Sequence, residues 1–181
     1  MNMAKIAIPT VAVMCEDGTT DINVGLNPNV DANDKVQAFV DCFRGCANTV
    51  YSLCYRFPVR LALAMWGGES GWATGNTQYR NQNWSNMIYT SMTNPVGNIG
   101  SGVNGWAMFE GREHHAKAFA YFFLNNSRYS GLISYLQSTT APDINTCISY
   151  IANAGYGGSD YAGYANTVQG WLSTLINRSD A

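Results

Sequence analysis

Charged side chains are scarce in this sequence of 181 residues. Only 12% of the residues are Asp, Glu, Lys or Arg, about half the usual share, and the formal net charge is −2. A chain with so little net charge has no overall positive field to attract nucleic acid. Because 46% of the residues are hydrophobic, the length and composition predict one domain with a substantial core and no nucleic-acid partner.

Signatures of membrane insertion and of metal binding are also missing. No run of 18 apolar residues occurs, so no segment is predicted to enter a membrane. The five cysteines are odd in number, include no C-x-x-C pair and have no accompanying histidine. We therefore predict no cofactor and no metal, and interpret the cysteines as small buried apolar side chains.

The N-terminal segment has little regular pattern. Residues 1–33 are predicted to form an extended arm, because turn-forming Asp, Asn, Gly and Pro residues interrupt it. Residues 6–14 are apolar, but Pro9 lies inside the run and Met14-Cys15-Glu16 is not a small-residue cleavage site. We therefore expect no classical signal peptide. Residues 34–181 are predicted to form one folded domain.

The remainder alternates between helical and polar segments. Residues 73–112 lack helical periodicity, and their Asn, Gly and aromatic residues are typical of loops and short strands. The order of helices, a small Gly/Asn-rich β lobe and further helices predicts an α+β fold that is mostly α. Besides one short helix that begins at Pro58, apolar residues spaced three or four apart predict helices at about 34–55, 113–125, 129–137, 143–155 and 160–176.

One short apolar helix carries a single carboxylate near its end. Pro58 suits the first turn, where its missing N–H is not needed, and the residues that follow are apolar on every side of the helix. Gly67, Gly68 and Gly71 are predicted to end the helix. Glu69 is thereby placed at the exit of a buried helix.

The surroundings of Glu69 predict a group that keeps its proton. Trp66 and Trp72 flank it in the sequence, and desolvation by such neighbours raises the pKa of a carboxyl group. A carboxyl group that is protonated near neutral pH can act as a general acid. The alternative is a solvent-exposed glutamate in a helix-capping region.

A second carboxylate is hard to find. No Asp or Glu lies between Glu69 and Glu110, so a mechanism with two carboxylates would use Glu110, Glu113 or a more distant acid. Glu113 is expected to stabilise the N-terminus of a helix instead. His114 and His115 lie together on a predicted helix, where we expect them to be solvated and not catalytic.

Aromatic residues lie in or beside the polar segments. Sugar rings have apolar faces and hydroxyl edges, so carbohydrate sites combine flat aromatic side chains with hydrogen-bonding groups of the Asn type. Core packing is the alternative for any one of them. The predicted substrate-binding residues are Trp72, Tyr79, Asn83, Trp84, Trp106 and Tyr161.

Five segments, which together cover roughly residues 36–176, occur in the order of known motifs. They are Ala64–Trp72, Asn81–Met87, Phe109–Glu113, Phe119–Leu132, and Tyr156 with Tyr164–Val168. In this combination the sequence resembles the bacterial and phage N-acetylglucosaminidases of glycoside hydrolase family 73. The resemblance implies that residues 34–181 form a catalytic domain with a lysozyme-like fold, which cleaves peptidoglycan beside N-acetylglucosamine.

The same resemblance implies roles for two residues. Glu69 takes the position of the general acid, and Tyr156 takes that of an active-site tyrosine. Two departures occur: Gly157–Tyr161 replaces a Thr-Asp-Pro segment, and the lobe lacks an acid before Glu110. These departures favour a substrate-assisted route, in which the 2-acetamido oxygen of the sugar attacks and Tyr156 orients that group. Glu110 stays a candidate for a second catalytic carboxylate.

The predicted function is therefore that of an endo-β-N-acetylglucosaminidase whose partner is the peptidoglycan glycan strand. Two alternatives stay open. One is a lytic transglycosylase on the same fold, and the other is an inactive carbohydrate-binding or structural virion module. The expected place of action is the bacterial cell wall, as a phage lysin, a tail-associated lysin in contact with virion proteins, or an extracellular enzyme.

Overall fold

The computed structural model describes residues 13–14, 20–21, 32–90 and 98–178. Most of the described residues are helical, and the predicted α+β class with a mostly helical content is confirmed. The helices are α1 (Ala32–Leu53), α2 (Val59–Ser70), α3 (Asn76–Asn81), α4 (Arg112–Asn125), α5 (Ser130–Ser138), α6 (Ile144–Asn153) and α7 (Tyr161–Arg178). The strands are β1 (Val13–Met14), β2 (Thr20–Asp21), β3 (Asn98–Ser101) and β4 (Ala107–Phe109).

Helix α2 lies at the centre of the fold. It is apolar on all sides, and its residues from Leu61 to Gly67 are buried between α1 on one side and α7 on another. Pro58 precedes the helix as its N-cap residue. A helix with no polar face can lie only inside a protein, so the rest of the chain packs around it.

The end of α2 differs from the prediction. Gly67 and Gly68 do not stop the helix, which continues to Ser70. Gly71 ends it in the left-handed region (φ 61°), and the backbone N–H groups of Gly71 and Trp72 donate to the carbonyls of Gly68 and Gly67. This is a Schellman cap, which needs glycine at one position only. Glu69 therefore lies within the last turn rather than beyond the helix.

Helices α1 and α4 bury the apolar stripes that the sequence predicts. In α4 the predicted face is fully buried, with Ala116, Phe119, Ala120 and Phe123 at 0% exposure. Phe119 meets Trp66 of α2 at a ring-centroid distance of 5.3 Å. The buried residues of α1 are Val36, Phe39, Val40, Phe43, Ala47, Val50 and, just after the helix, Cys54.

The predicted β lobe consists of a short helix and a small sheet. Strands β3 and β4 pair antiparallel, with Gly100 opposite Met108 and Ser101 opposite Ala107. An isolated bridge joins Ile88 to Trp106. The sequence did not reveal α3, which is a single polar segment of six residues and is too short to show apolar periodicity.

The division into an N-terminal arm at 1–33 and a domain at 34–181 stays a prediction. Most of the predicted arm at 1–33 lies outside the described residues, apart from the pairing of β1 with β2 and the start of α1 at Ala32. Cys54 and Cys147 are buried as predicted, whereas Cys42 and Cys46 are partly exposed. Among the described helices, none has the length and apolarity that crossing a lipid bilayer demands.

Candidate active site

Glu69 lies in the last turn of α2 and is partly exposed. Burial of the carboxyl group raises its pKa above the ordinary value, and a hydrogen bond from Asn86 partly counteracts this increase. The negative end of the α2 dipole acts in the same direction as burial, because it disfavours a carboxylate in the last turn. The described residues place no Lys or Arg within ion-pair distance of Glu69. The side chain thus has the properties of a general acid.

Asn86 is the hydrogen-bond partner of this carboxyl group. Its Nδ2 donates to Glu69 Oε2 at 2.8 Å and to the Glu69 carbonyl at 3.1 Å. Gln78 Nε2 in turn donates to Asn86 Oδ1 at 2.7 Å, which sets the orientation of the amide. The backbone of Asn86 is left-handed (φ 50°), a conformation that Asn adopts more readily than most residues. The loop after α3 is thereby shaped to direct an amide donor at Glu69.

Tyr156 lies in the turn after α6, far from Glu69 and Asn86 in the sequence. Its hydroxyl donates to the carbonyl of Ser85 at 3.2 Å, one residue before Asn86. Burial raises the pKa of Tyr156 well above the ordinary value, and the charge of nearby Glu69 raises it further. The phenol is therefore neutral wherever Glu69 titrates. The structure thus brings together Glu69 and Tyr156, two of the predicted catalytic residues.

A row of aromatic rings continues from Tyr156 into α7. Tyr164 lies 5.7 Å from Tyr156, and Trp171 lies 6.3 Å from Tyr164, measured between ring centroids. Burial raises the pKa of Tyr164, with smaller increases from Tyr156 and Glu69. Its hydroxyl is buried and has no hydrogen-bond partner among the described residues. The side of the site formed by α7 is therefore aromatic and uncharged.

The two glycines beside Glu69 allow indole rings to contact the backbone of α2. A Cβ on Gly67 would overlap the ring of Trp72, and a Cβ on Gly68 would overlap the ring of Trp171. Trp72 also contacts the ring of Phe39 edge-on at 5.6 Å. Glycine at these positions serves close approach rather than helix termination.

The sequence predicts a solvated His115, but the structure buries this residue. It is 0% exposed, and its ring lies between Trp66 and Phe109, at 5.0 Å and 5.6 Å. Burial lowers its pKa to about 3, so the imidazole is neutral at ordinary pH. Its Nε2 forms a hydrogen bond of 2.8 Å with Ser85 Oγ. The prediction was wrong because it treated a histidine as a surface residue, although His115 lies four residues before Phe119 and so on the face of α4 that the apolar spacing places in the core.

Asn83 and Trp84 also lie in the core, at 1% and 3% exposure. Asn83 Nδ2 donates to the carbonyls of Met87 and Ala107, and Asn83 Oδ1 accepts from the Met87 N–H. Trp84 contacts the ring of Phe43 at 5.0 Å. The substrate-binding role predicted for both is therefore corrected to a structural one, since neither presents a surface to a sugar. Asn83 closes the turn that contains Asn86.

The other predicted carboxylates differ in environment. The side chain of Glu110 is 59% exposed, and its carboxylate lies 3.5 Å from His114. The causes of the shifted pKa of Glu69 are burial and the hydrogen bond from Asn86. Glu113 lies in the first turn of α4, where it accepts from Thr49 and pairs with Lys117, as a structural role predicts.

Four predicted binding residues keep some exposed surface. Trp72, Tyr79 and Trp106 are partly exposed, and Tyr161 is 46% exposed at the start of α7. Trp72 and Tyr79 also contact the core. Their role in binding stays a prediction.

Several residues of the site were not selected from the sequence. These are Gln78, Ser85, Asn86, Tyr164 and Trp171. Asn86 belongs to a segment rich in Asn, so composition alone could not distinguish the site residue from its neighbours. The one usable signal was the position of Asn86 within the Asn81–Met87 motif, and Asn83 was selected there instead.

No family model and no curated protein sequence matches this chain. A solved structure has a similar fold: a chain in the structure described as that of a type VI secretion system effector-immunity complex from Pseudomonas protegens. The TM-score is 0.56 and the identity is 19%, over 83% of this chain and 94% of that chain. At this identity the similarity shows the fold alone.

Replacing Asn86 by Gly is expected to raise the pKa of Glu69 further. The variant removes the donor that stabilises the charged carboxylate, and glycine tolerates the left-handed backbone at this position. The measurement is a carbon-13 NMR titration of the Glu69 carboxyl group. Asn104→Gly is the matched control, because Asn104 is also left-handed (φ 59°) and is exposed. A titration unchanged in Asn86→Gly would show that the hydrogen bond is not formed in solution.

Proposed function

We propose that this protein is a peptidoglycan hydrolase, an endo-β-N-acetylglucosaminidase in which Glu69 is the general acid. The observation that carries the proposal is the environment of Glu69: a partly buried carboxyl group with a raised pKa, one amide partner and a neighbouring tyrosine. A glycosidic oxygen leaves as a neutral hydroxyl only if it receives a proton, and this group can supply one. The resemblance to family 73 supplies the substrate class.

The environment of the carboxylates favours a mechanism with a single protein acid. Glu110 is exposed and lies 3.5 Å from His114, and within the described part of the chain no carboxylate is among the main causes of the raised pKa of Glu69, whereas a conventional pair places two carboxyl groups on either side of the bond that is cleaved. In the substrate-assisted route, the acetamido carbonyl oxygen bonds to the anomeric carbon while Glu69 transfers its proton to the departing oxygen. Water then opens the oxazolinium ring and returns a proton to Glu69.

Tyr156 fits this route as an acceptor. Its hydroxyl hydrogen is directed at the Ser85 carbonyl, so its oxygen keeps a lone pair for another donor. The N–H of the acetamido group is such a donor. A hydrogen bond there would hold the carbonyl oxygen toward the anomeric carbon and increase its electron density as it attacks.

The proposed function is tested by incubating the purified protein with peptidoglycan and analysing the fragments. The expected products carry N-acetylglucosamine at a reducing end. A 1,6-anhydro end would identify a lytic transglycosylase instead. Intact glycan, together with retained binding to cell walls, would identify the carbohydrate-binding module and contradict the proposal.

The variant Glu110→Gln is expected to keep the rate of the unmodified protein within about twofold, because an exposed carboxylate paired with His114 takes no part in the substrate-assisted route. The measurement is kcat on solubilised glycan strands. A loss as large as that of Glu69→Gln would show that Glu110 is the missing base and would reject the substrate-assisted route.

The place of action follows from the substrate. A phage lysin, a tail-associated lysin and an extracellular enzyme all meet peptidoglycan at the bacterial wall. The similar solved structure comes from an effector-immunity complex, which adds delivery as a secreted effector to these settings. Glycan cleavage is the expected activity in each setting.

A further inference from the structure

The residue pair Ser85-Asn86 contacts both proposed active-site groups. The Ser85 carbonyl accepts the hydrogen bond of the Tyr156 hydroxyl at 3.2 Å. Asn86 Nδ2 donates to Glu69 Oε2 at 2.8 Å. A displacement of this pair would therefore disturb Tyr156 and Glu69 together.

The buried side chain of His115 forms a hydrogen bond with Ser85 of this pair. His115 Nε2 lies 2.8 Å from Ser85 Oγ, and the imidazole is enclosed by the rings of Trp66, Phe109 and Phe119. Enclosure on several sides leaves the ring little freedom to move, so its hydrogen bond fixes Ser85 in position.

A histidine at this position is not explained by packing. Its Nδ1 is buried and has no hydrogen-bond partner among the described residues. A buried polar atom without a partner is destabilising, whereas an apolar ring of similar size would fill the same space without that cost. The feature that an apolar ring could not reproduce is the bond to Ser85.

We infer that His115 is a positioning residue for Glu69: its imidazole fixes Ser85, and Ser85-Asn86 then holds the Glu69 carboxyl group and the Tyr156 hydroxyl in their catalytic geometry. This inference rests on the proposed function, in which these two groups act on the glycan. His115 does not touch the reacting atoms and acts through Ser85.

The protonation of His115 and of the groups around it does not change across the pH range in which Glu69 would act. His115 is neutral above about pH 3, and its surroundings in the described residues are the three rings and Ser85, none of them charged. The titratable neighbours of Glu69 are Tyr156 and Tyr164, and burial keeps both phenols neutral. A change in the pH profile of a His115 variant would therefore report on Glu69 itself.

The test compares His115→Phe and Ser85→Ala, which break the bond, with His115→Gln, whose amide can reach Ser85. We expect the first two variants to lose about five- to tenfold in kcat, because Glu69 is no longer held in its catalytic geometry. KM should stay within about twofold, because the residues that bind the substrate are unchanged. The alkaline limb of the rate profile should move to higher pH, as the bond from Asn86 to Glu69 weakens. His115→Gln should restore both quantities.

Val50→Ala is the control for lost stability, because Val50 is a fully buried residue of α1 outside this chain of hydrogen bonds. A shifted pH limb in Val50→Ala, or an unchanged limb and kcat in Ser85→Ala, would overturn the inference. Ser85→Ala removes a single oxygen and so gives an answer even if His115→Phe does not fold.

Failure of the proposed function can be distinguished from failure of the positioning role of His115. If the unmodified protein cleaves no glycan, the carbon-13 titration of Glu69 in Ser85→Ala replaces the rate profile. A raised Glu69 pKa in that variant supports the positioning role without any activity, and an unchanged pKa overturns it.

Discussion

Glu69→Gln is expected to abolish glycan cleavage and to make the folded protein more stable at neutral pH. The amide has the size of the carboxyl group and can still accept the hydrogen bond from Asn86, but it has no proton to give. General acid catalysis contributes about 10²- to 10⁴-fold, so kcat should fall by at least about 100-fold. The measurement is the rate of release of reducing ends from solubilised glycan.

The gain in stability follows from the pKa of Glu69. Burial raises that pKa in the folded state above its ordinary value of 4.5, so the folded protein holds the proton more tightly than the unfolded chain. The stability that Glu69 contributes is complete below about pH 4.5 and is lost as pH rises through the folded-state pKa. Glutamine carries no charge at any pH and avoids this loss.

The difference in free energy of unfolding between Glu69→Gln and the unmodified protein should therefore be small at pH 4 and grow toward pH 8. Urea denaturation at several pH values measures it. Glu110→Gln is the matched control, since that carboxylate is exposed and should show no such growth. Equal stabilities at pH 8, or retained cleavage by Glu69→Gln, would contradict the role of Glu69.

Gly68→Ala is expected to destabilise the fold by about 3 kcal/mol, the upper part of the range for inserting atoms into a packed interior. The added methyl group would overlap the indole of Trp171, which lies against the backbone of α2. Because α2 and α7 pack together here, the two helices must separate or the indole must leave its place. Glu69 is the next residue, so glycan cleavage should be lost as well.

Gly170→Ala serves as the control for this substitution. Gly170 is exposed in α7, and nothing lies within 4 Å of an added Cβ. Alanine in an exposed helix should there stabilise the protein by about 0.5–1 kcal/mol. Urea denaturation compares the two variants.

A double variant tests the cause of the Gly68→Ala effect. Trp171→Ala removes the ring that the new methyl group would meet. In Gly68→Ala/Trp171→Ala, the loss of stability should therefore be well below the sum of the two single losses. Additive losses would show that contact with Trp171 is not the reason that position 68 is glycine.

The helices could be predicted because their signals are local. Apolar residues three or four apart mark α1 and α4, and the predicted faces are the buried faces. The lack of any polar face on α2 was enough to predict a buried helix, and Glu69 is the one acid on it. Position and burial of the candidate acid could therefore be inferred from a stretch of about a dozen residues.

The residues that contact Glu69 or lie beside it could not be inferred in this way. Asn86 and Tyr156 lie 17 and 87 residues from Glu69 in the sequence, and nothing in their immediate neighbours distinguishes a residue that contacts the acid from one that does not. Trp84 illustrates the opposite error. A tryptophan among asparagines suggested a sugar platform, yet the ring lies against Phe43 of α1.

The sequence was enough to predict the mostly helical class, the buried central helix and the presence of one carboxyl group near the end of that helix, because each depends on residues that are neighbours along the chain. Only the tertiary structure shows that Gly68 admits the indole of Trp171, that His115 forms a hydrogen bond with Ser85, and that Asn86 contacts Glu69. Those contacts join segments distant in sequence, and they form only once α1, α4, α7 and the lobe have packed around α2.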